Sequence, residues 1–529
     1  MQYQQAMLCP VPALPDLPKP PMPQSNAERV TFTHREILEV FSGVALAMLM
    51  AAMDQTIVAT ALPTMAEQLG NLEDLPWVVS AYLLASTTTT PIYGKLSDLY
   101  GRKRVLQIAI LLFLAGSVLC ALAGSMFQLI LFRAVQGLGG GGLMALAFTI
   151  IGDVVEPRER GRYQGYIGGV FALASVAGPL LGGVFTEALS WHWIFLINLP
   201  IGAAALFMTR KALARLPTGI AHPKIDYLGA ALLMAGITGL LLVISRGGTA
   251  FAWTSPTLLA LVAGTAVLLG AFVWHERRVE EPILPLRLFR SPVFAVANPI
   301  VAVSAMVLFA GIVFLPLHLQ LVRGAGATES GLLLLPLVFG MTLGAVGGGR
   351  LIARSGRYKI FPIVGLALAA LMFLALGASD RVAGDALLST LVLVPLGIGL
   401  GLVMPVMTVA VQNAVDRRDL GAATAAVGFF RSLGGSAGVA LFGAVLTSDV
   451  GRHLASAGLP GIDAREVLER GTAVLQGLPD NVRAAAVAAF EQGFETLFVL
   501  AAAFAAASLV LTLFLKELPL RSAKASPAA

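Results

Sequence analysis

Charge is scarce in this chain. Asp, Glu, Lys and Arg make up 12% of its 529 residues, where soluble proteins carry roughly 25%. Hydrophobic residues reach 57%, with a mean hydropathy of +0.82, more apolar surface than a soluble fold can hide in its interior. Cysteine is nearly absent: Cys9 and Cys120 are the two, which excludes a disulfide framework and a cysteine metal site. The six histidines are scattered, and the sequence has no HExxH zinc motif, GxxxxGK[ST] phosphate loop or nucleophile elbow. ATP-driven pumping, hydrolysis and a bound metal or organic cofactor lack a basis in the sequence, which leaves an ion gradient as the energy source. The net charge of +6 is spread over loops between apolar segments, so nucleic acid is not an expected partner.

What is present is a series of apolar stretches between residues 38 and 515. Most are about 18–26 residues long, the length a helix needs to cross roughly 30 Å of hydrocarbon. They predict about 14 spanning helices in an all-α polytopic membrane protein, with the bilayer as solvent. The 56 glycines show no period of three and fall inside these stretches, as close helix packing requires. With both termini inside, roughly 27 of the 36 Lys and Arg fall in inside loops, the asymmetry expected of a multi-pass protein of the plasma or bacterial inner membrane. An odd number of helices would scramble it.

The expected organisation is a Pro-rich cytosolic tail without regular structure (1–36), a six-helix bundle (37–214), two extra central helices (225–276), a second six-helix bundle (291–516) and a cytosolic tail (517–529). The tail lacks the apolar core of a signal peptide. A long extracytoplasmic loop (448–489), expected to carry short surface helices, interrupts the second bundle. The two-bundle reading rests on an internal repeat: GKLSDLYGRKR at 94–104 follows the second helix and GRLIARSGRYK at 349–359 the tenth. Gly94 aligns with Gly349, Gly101 with Gly356 and Arg102 with Arg357, whereas Ala353 stands where Asp98 would align. Parallel repeats of this kind occur in transporters.

Two charges inside the apolar stretches, Asp54 and Arg133, are candidate mechanistic residues, because each costs roughly 2.5–3.5 kcal/mol on insertion and must face protein or water. Counted from the outer helix ends, both lie about 10–12 Å deep, so they are expected partners across the first bundle. Burial raises a carboxyl pKa and a nearby arginine lowers it, so a small movement can carry Asp54 through its titration. A structural ion pair and direct binding of a cationic substrate are the alternatives. Arg431 is a third charge inside a helix, with no acid at matching depth; Asn298, backbone carbonyls or an anionic substrate are candidate partners. In the fifth helix Gly178, Pro179, Gly182 and Gly183, with Gly169 further back, remove side-chain bulk and one backbone hydrogen bond, which allows close packing and a kink.

In order and register, DQTIVATALP (54–63), GKLSDLYGRKR (94–104), RAVQGLGGGG (133–142), GPLLGG (178–183) and WHWIFLINLPIG (191–202) resemble the major facilitator superfamily, specifically its 14-helix drug:proton antiporter branch (EmrB/QacA-like). The resemblance covers nearly the whole chain. It implies the major facilitator fold, two six-helix bundles plus two extra central helices, and proton-coupled efflux of small amphipathic or cationic compounds by alternating access. It implies a cytosolic gate at Gly94, Asp98, Gly101 and Arg102, made asymmetric by Ala353. It further implies proton coupling at Asp54 and Arg133, a helix-four motif completed by Gln136 and Gly137, and export as the direction signalled by the helix-five glycines and Pro179. The expected partners are small-molecule substrate, protons and lipid, with a periplasmic adaptor where the cell has an outer membrane. His192 departs from the family's usual Arg and is read as structural. A dedicated exporter of one metabolite and a non-transporting membrane sensor are the competing readings.

Overall fold

The computed structural model describes residues 33–70, 74–215, 226–247, 251, 254–378, 386–459, 462–470, 474–475 and 477–520. Most of the expected N-terminal tail and residues 521–529 lie outside the described residues. Fourteen long helices follow one another: α1 (His34–Leu69), α2 (Leu75–Tyr100), α3 (Arg102–Ala121), α4 (Met126–Val154), α5 (Arg160–Ala188), α6 (Trp193–Ala212), α7 (Tyr227–Arg246), α8 (Pro256–Glu276), α9 (Pro292–Leu321), α10 (Glu329–Ser355), α11 (Ile360–Gly377), α12 (Leu391–Ala414), α13 (Leu420–Ser456) and α14 (Asp480–Leu513).

Thirteen of them are long and apolar enough to cross a membrane. The exception is α2, whose 26 residues suffice in length but include the run Thr87–Thr90. All four threonines are buried, because α2 packs between α4 on one side and α13 on the other; its polar atoms meet protein instead of lipid. Thr88, Thr89 and Thr90 return their hydroxyls to backbone carbonyls one turn back, as a polar side chain in an apolar medium must.

The helix starts are written locally. Thr33 and Glu36 form a reciprocal capping box at α1, and Ser125, Asp226 and Ser255 cap α4, α7 and α8, satisfying amide groups that the first turn leaves free. Three spans are irregular: α6 breaks at Ile197, α9 loosens into a π-helical turn at Ala310–Phe314, and α12 breaks between Gly401 and Met404.

α1–α6 form one bundle around Tyr82, Phe113, Leu143 and Ile150. α9–α14 form the other, where Phe373, Phe442, Phe490, Phe494 and Phe498 build the core. The α7–α8 hairpin is not a passive spacer. Leu233, Ile237, Leu241 and Phe272 pack against Leu84 and Ile92 of α2 and against Phe429 and Leu433 of α13, so the hairpin covers the seam where those two helices meet.

Two segments differ from expectation. The loop at 448–489 is shorter than the sequence suggested, because α13 continues to Ser456 and the Ala-rich stretch forms the first turns of α14. Between them the short helix Ala464–Arg470 buries Ala464 and Val467 against Leu454, Ala486 and Phe490. Residues 517–520, the start of the expected cytosolic tail, are tied down: Glu517 accepts from the Tyr358 amide at 2.8 Å, and the Tyr358 hydroxyl accepts from the Leu518 amide at 2.8 Å.

Candidate functional site

The first candidate site is a buried polar network in the α1–α6 bundle. Asp54 on α1 and Arg133 on α4 are 0% and 1% exposed, and Arg133 Nη1 lies 2.7 Å from Asp54 Oδ2. Gln136, one turn along α4, closes a triangle: its Oε1 accepts from Arg133 Nη1 at 2.6 Å and its Nε2 donates to Asp54 Oδ1 at 2.7 Å. Gln136 Nε2 also donates to Ser117 Oγ on α3 at 2.8 Å. Asn198 on α6 approaches Asp54 Oδ1 at 3.4 Å and Ser117 Oγ at 3.2 Å. Arg133 Nε donates to the Val78 carbonyl, and the guanidinium carbon stands 4.3 Å from the centre of the Tyr82 ring.

Both carboxylate oxygens are therefore satisfied and the charge is balanced, which is how a buried pair offsets its desolvation. Glycines make the approach feasible. A Cβ on Gly116 would sit 2.5 Å from Gln136 Cα, and one on Gly137 would sit 3.0 Å from Tyr82 Cα. α2, α3 and α4 thus come close enough for one glutamine to span three partners. Asp54 and Arg133, expected at equal depth, are direct partners. Ser117, Asn198 and Tyr82 were not singled out as members, and their signal was an isolated polar residue breaking an apolar stretch.

The second candidate site is a seal between the bundles at the end of the molecule that carries Arg102, Arg158 and Arg160, called here the basic face. Backbone meets backbone there. Gly161 of α5 lies on Gly349 of α10, where a Cβ on Gly161 would be 2.9 Å from the Gly349 carbonyl oxygen. Gly94 of α2 faces Gly421 of α13, where a Cβ on Gly94 would be 2.6 Å from the Gly421 oxygen. Asp98 accepts from the Gly421 and Ala422 amides at 3.2 and 3.0 Å, placing a carboxylate on the N-terminal end of α13, where the helix dipole favours it. Arg102 holds that carboxylate from behind at 2.6 Å and grips Asp153 of α4 at 2.7 Å.

The second copy of the repeat makes the matching contact with different chemistry. With Ala353 in place of an acid, the carbonyls of Ala353 and Arg354 at the C-terminal end of α10 accept from Arg158 at 2.8 and 3.2 Å. The expected asymmetry is real, but it is one of donor and acceptor rather than presence and absence. Gly101 and Gly356 both adopt positive φ, 88° and 71°, so each turn of the repeat requires glycine. Gln412 of α12 bonds across the same seal to the Phe148 carbonyl at 3.1 Å. The segment between α8 and α9 crosses it as well: Glu281 pairs with Lys95 of α2 at 2.6 Å, and Arg287 pairs with Asp419 beside α13 at 2.7 Å.

The helix-five residues divide. Gly178 and Gly182, one turn apart on one face, receive Thr56, Ile57 and Thr60 of α1. Gly169 and Gly183 have nothing within 4 Å of the place a Cβ would take, and Pro179 is exposed. Close packing therefore involves two of the expected residues, because Gly183 is rotated about 100° from Gly182.

Arg431 on α13 faces the other bundle. Its guanidinium carbon lies 5.3 Å from the Phe148 ring of α4 and 6.0 Å from the Phe171 ring of α5. Asn298, a candidate partner from sequence, instead donates to the Phe294 carbonyl within its own helix. His192 stacks on Trp191 at 3.8 Å and meets Ser190 Oγ at 2.6 Å; partial burial pulls its pKa below the usual histidine value, consistent with a structural part.

Residues 44–439 match the family model described as Major Facilitator Superfamily. The chain is 43% identical over 484 residues to an uncharacterized MFS-type transporter of Mycobacterium tuberculosis (strain ATCC 25618 / H37Rv), covering 91% of this chain and 70% of that one. It is 38% identical to the multidrug transporter protein MdtP of Bacillus subtilis (strain 168) over 80% of this chain and 78% of that protein. It is 36% identical to multidrug resistance protein 3 of the same organism over 87% and 92%. Among solved structures, the proton:xylose symporter XylE superimposes with a TM-score of 0.60 at 15% identity, covering 92% of this chain and 97% of that one, which marks a shared fold.

Proposed function

Because this chain belongs to the major facilitator superfamily and is a multi-pass membrane transporter rather than an enzyme, we propose that it exports small amphipathic compounds in exchange for protons by alternating access. The observation that carries this reading is the Asp54–Arg133–Gln136 network: a carboxylate with no exposure, inside the membrane span, held by contacts from α4 and α6 and tied through them to Ser117 of α3. A shift of any of those helices changes which groups meet the Asp54 carboxyl. That is the property a proton-coupling group needs. The relatives named as multidrug transporters support efflux as the direction and several amphipathic compounds as the cargo.

By the excess of Lys and Arg, the basic face is the cytosolic one, with both termini on that side. The seal built from Gly161–Gly349, Gly94–Gly421 and Asp98 then corresponds to the state closed to the cytosol. Cations are less well served than neutral amphipaths, since both oxygens of Asp54 are already engaged by Arg133, Gln136 and Asn198.

The test is proton movement in energised everted vesicles, comparing wild type with Asp54→Asn over lipophilic cations, neutral drugs and anionic metabolites. Proton release driven by a compound in wild type and absent in the variant supports antiport and identifies the cargo class. If no compound moves protons through correctly inserted wild-type protein, the antiport reading fails.

A further inference from the structure

The charges inside the spans are not equivalent. Asp54 and Arg133 neutralise each other within one bundle. Arg431 has no such partner: among the described residues no carboxylate pairs with it and no acceptor takes a hydrogen bond from it, and its contacts are the two aromatic rings of Phe148 and Phe171. It lies nine to ten residues beyond Gly421 and Ala422, the point where α13 meets Asp98, and so about 14 Å further into the membrane than the seal. Its environment is between the bundles, because the rings come from α4 and α5 while Arg431 belongs to α13. It therefore cannot reach the lipid headgroups by extending along the outside of the bundle.

A guanidinium held at this depth without a counter-charge is expensive. Ring contacts relieve part of that cost but use none of its five N–H donors. Those donors form a planar fork that fits a carboxylate, sulfonate or phosphate with two parallel hydrogen bonds. Met144 on α4, one turn from Phe148, packs with Phe171 against the same buried residues, Ala52, Met53 and Ala174, so an apolar, adaptable wall adjoins the charged fork. Both features are only partly buried.

Building on the transporter reading above, we propose that Arg431 is the recognition point for an acidic oxygen group on the cargo. The compounds preferred by this protein are amphipathic organic anions, whose acidic end meets Arg431 and whose hydrophobic body lies against Met144, Phe148 and Phe171. Bound in this way, an anion bridges α13 of one bundle to α4 and α5 of the other, and it supplies the charge balance that the protein withholds.

The full chain, purified in an uncharged detergent, is titrated with 11-(dansylamino)undecanoic acid and with the corresponding primary amide, following dansyl fluorescence with no gradient present. The acid is expected to bind on the order of tenfold more tightly than the amide. Arg431→Gln is expected to bring the two to equal affinity and Arg431→Lys to retain part of the preference. Equal affinities in wild type, which require no variant to fold, would overturn the assignment, as would an acid preference that survives in Arg431→Gln. A headgroup phosphate has the same oxygen chemistry. Displacement of the acid by stoichiometric phosphatidylglycerol, with no export of the acid by proteoliposomes, would give Arg431 to a lipid and refute the cargo role. Because binding is read without a proton gradient, failure of proton coupling leaves these outcomes untouched.

Discussion

The Asp98 carboxylate on α2 stands 3.0 Å from the Ala422 amide at the start of α13, although 324 residues separate them in the chain. A single acid thus joins the two bundles at the basic face through a helix end, with Arg102 setting its position from behind.

Asp98→Asn keeps the side chain's shape but removes its charge. Losing the charge-assisted bonds and the dipole interaction costs the sealed state about 1–2 kcal/mol, roughly a tenfold change in the balance between sealed and opened forms. Spin labels on the basic ends of α2 and α13 should report the broader, longer distance distribution, and transport should fall while the amount of inserted protein is unchanged. A wild-type distance distribution would remove Asp98 from the seal.

Gly161→Leu tests the seal sterically. A Cβ at this position already comes 2.9 Å from the Gly349 carbonyl oxygen, and the neighbour is backbone, which cannot rotate away. The variant should insert normally, fail to close the basic face and lose transport. Alkylation of a cysteine introduced on the inner side of the seal should become fast from the basic face. Unchanged alkylation would show that the two glycines do not control closure.

Removal of one member of the buried pair should be worse than removal of both. Arg133→Met leaves Asp54 without its counter-charge, at a cost of about 3–5 kcal/mol if it stays ionised. The double variant Asp54→Asn with Arg133→Met carries no charge in this network. Thermal unfolding in detergent should place Arg133→Met lowest and the double variant above it, with neither supporting substrate-driven proton movement. A double variant less stable than the single would contradict charge balance as the role of the pair.

The crossing segment between α8 and α9 offers a charge-exchange experiment. Lys95→Glu should weaken the sealed state through repulsion from Glu281, and the added change Glu281→Lys should restore it. Glu281 is partly exposed, so the effect is small, about threefold in the distance populations at low salt and less at high salt.

Several of these features were legible in the sequence, for physical reasons that can be named. A lone charge in an apolar stretch is costly enough to stand out, which is why Asp54, Arg133 and Arg431 were visible. The repeat was visible because Gly101 and Gly356 occupy left-handed turns that few other residues tolerate. Ser117 and Asn198 were not recognised as members of the network, because an uncharged polar residue in a helix can satisfy itself on its own backbone and gives no sign of a distant partner. Asp153, which Arg102 grips, was equally silent: an acid at a helix end reads as a solvated surface group. The packing of residues 515–520 on Tyr358 depends on where α14 ends relative to the repeat, a relation between parts of the chain that no local pattern encodes.

At Gly161–Gly349 the touching surfaces consist of main chain alone. Parting them strands no side chain in a poor rotamer, and rejoining them requires no interlocking shapes to be found again, so little conformational entropy changes hands at the contact in either direction. Such a joint works as a smooth bearing. Its tightness is set by neighbouring charges such as Asp98 and Arg158, which leaves the speed of opening and the stability of closure free to be adjusted separately.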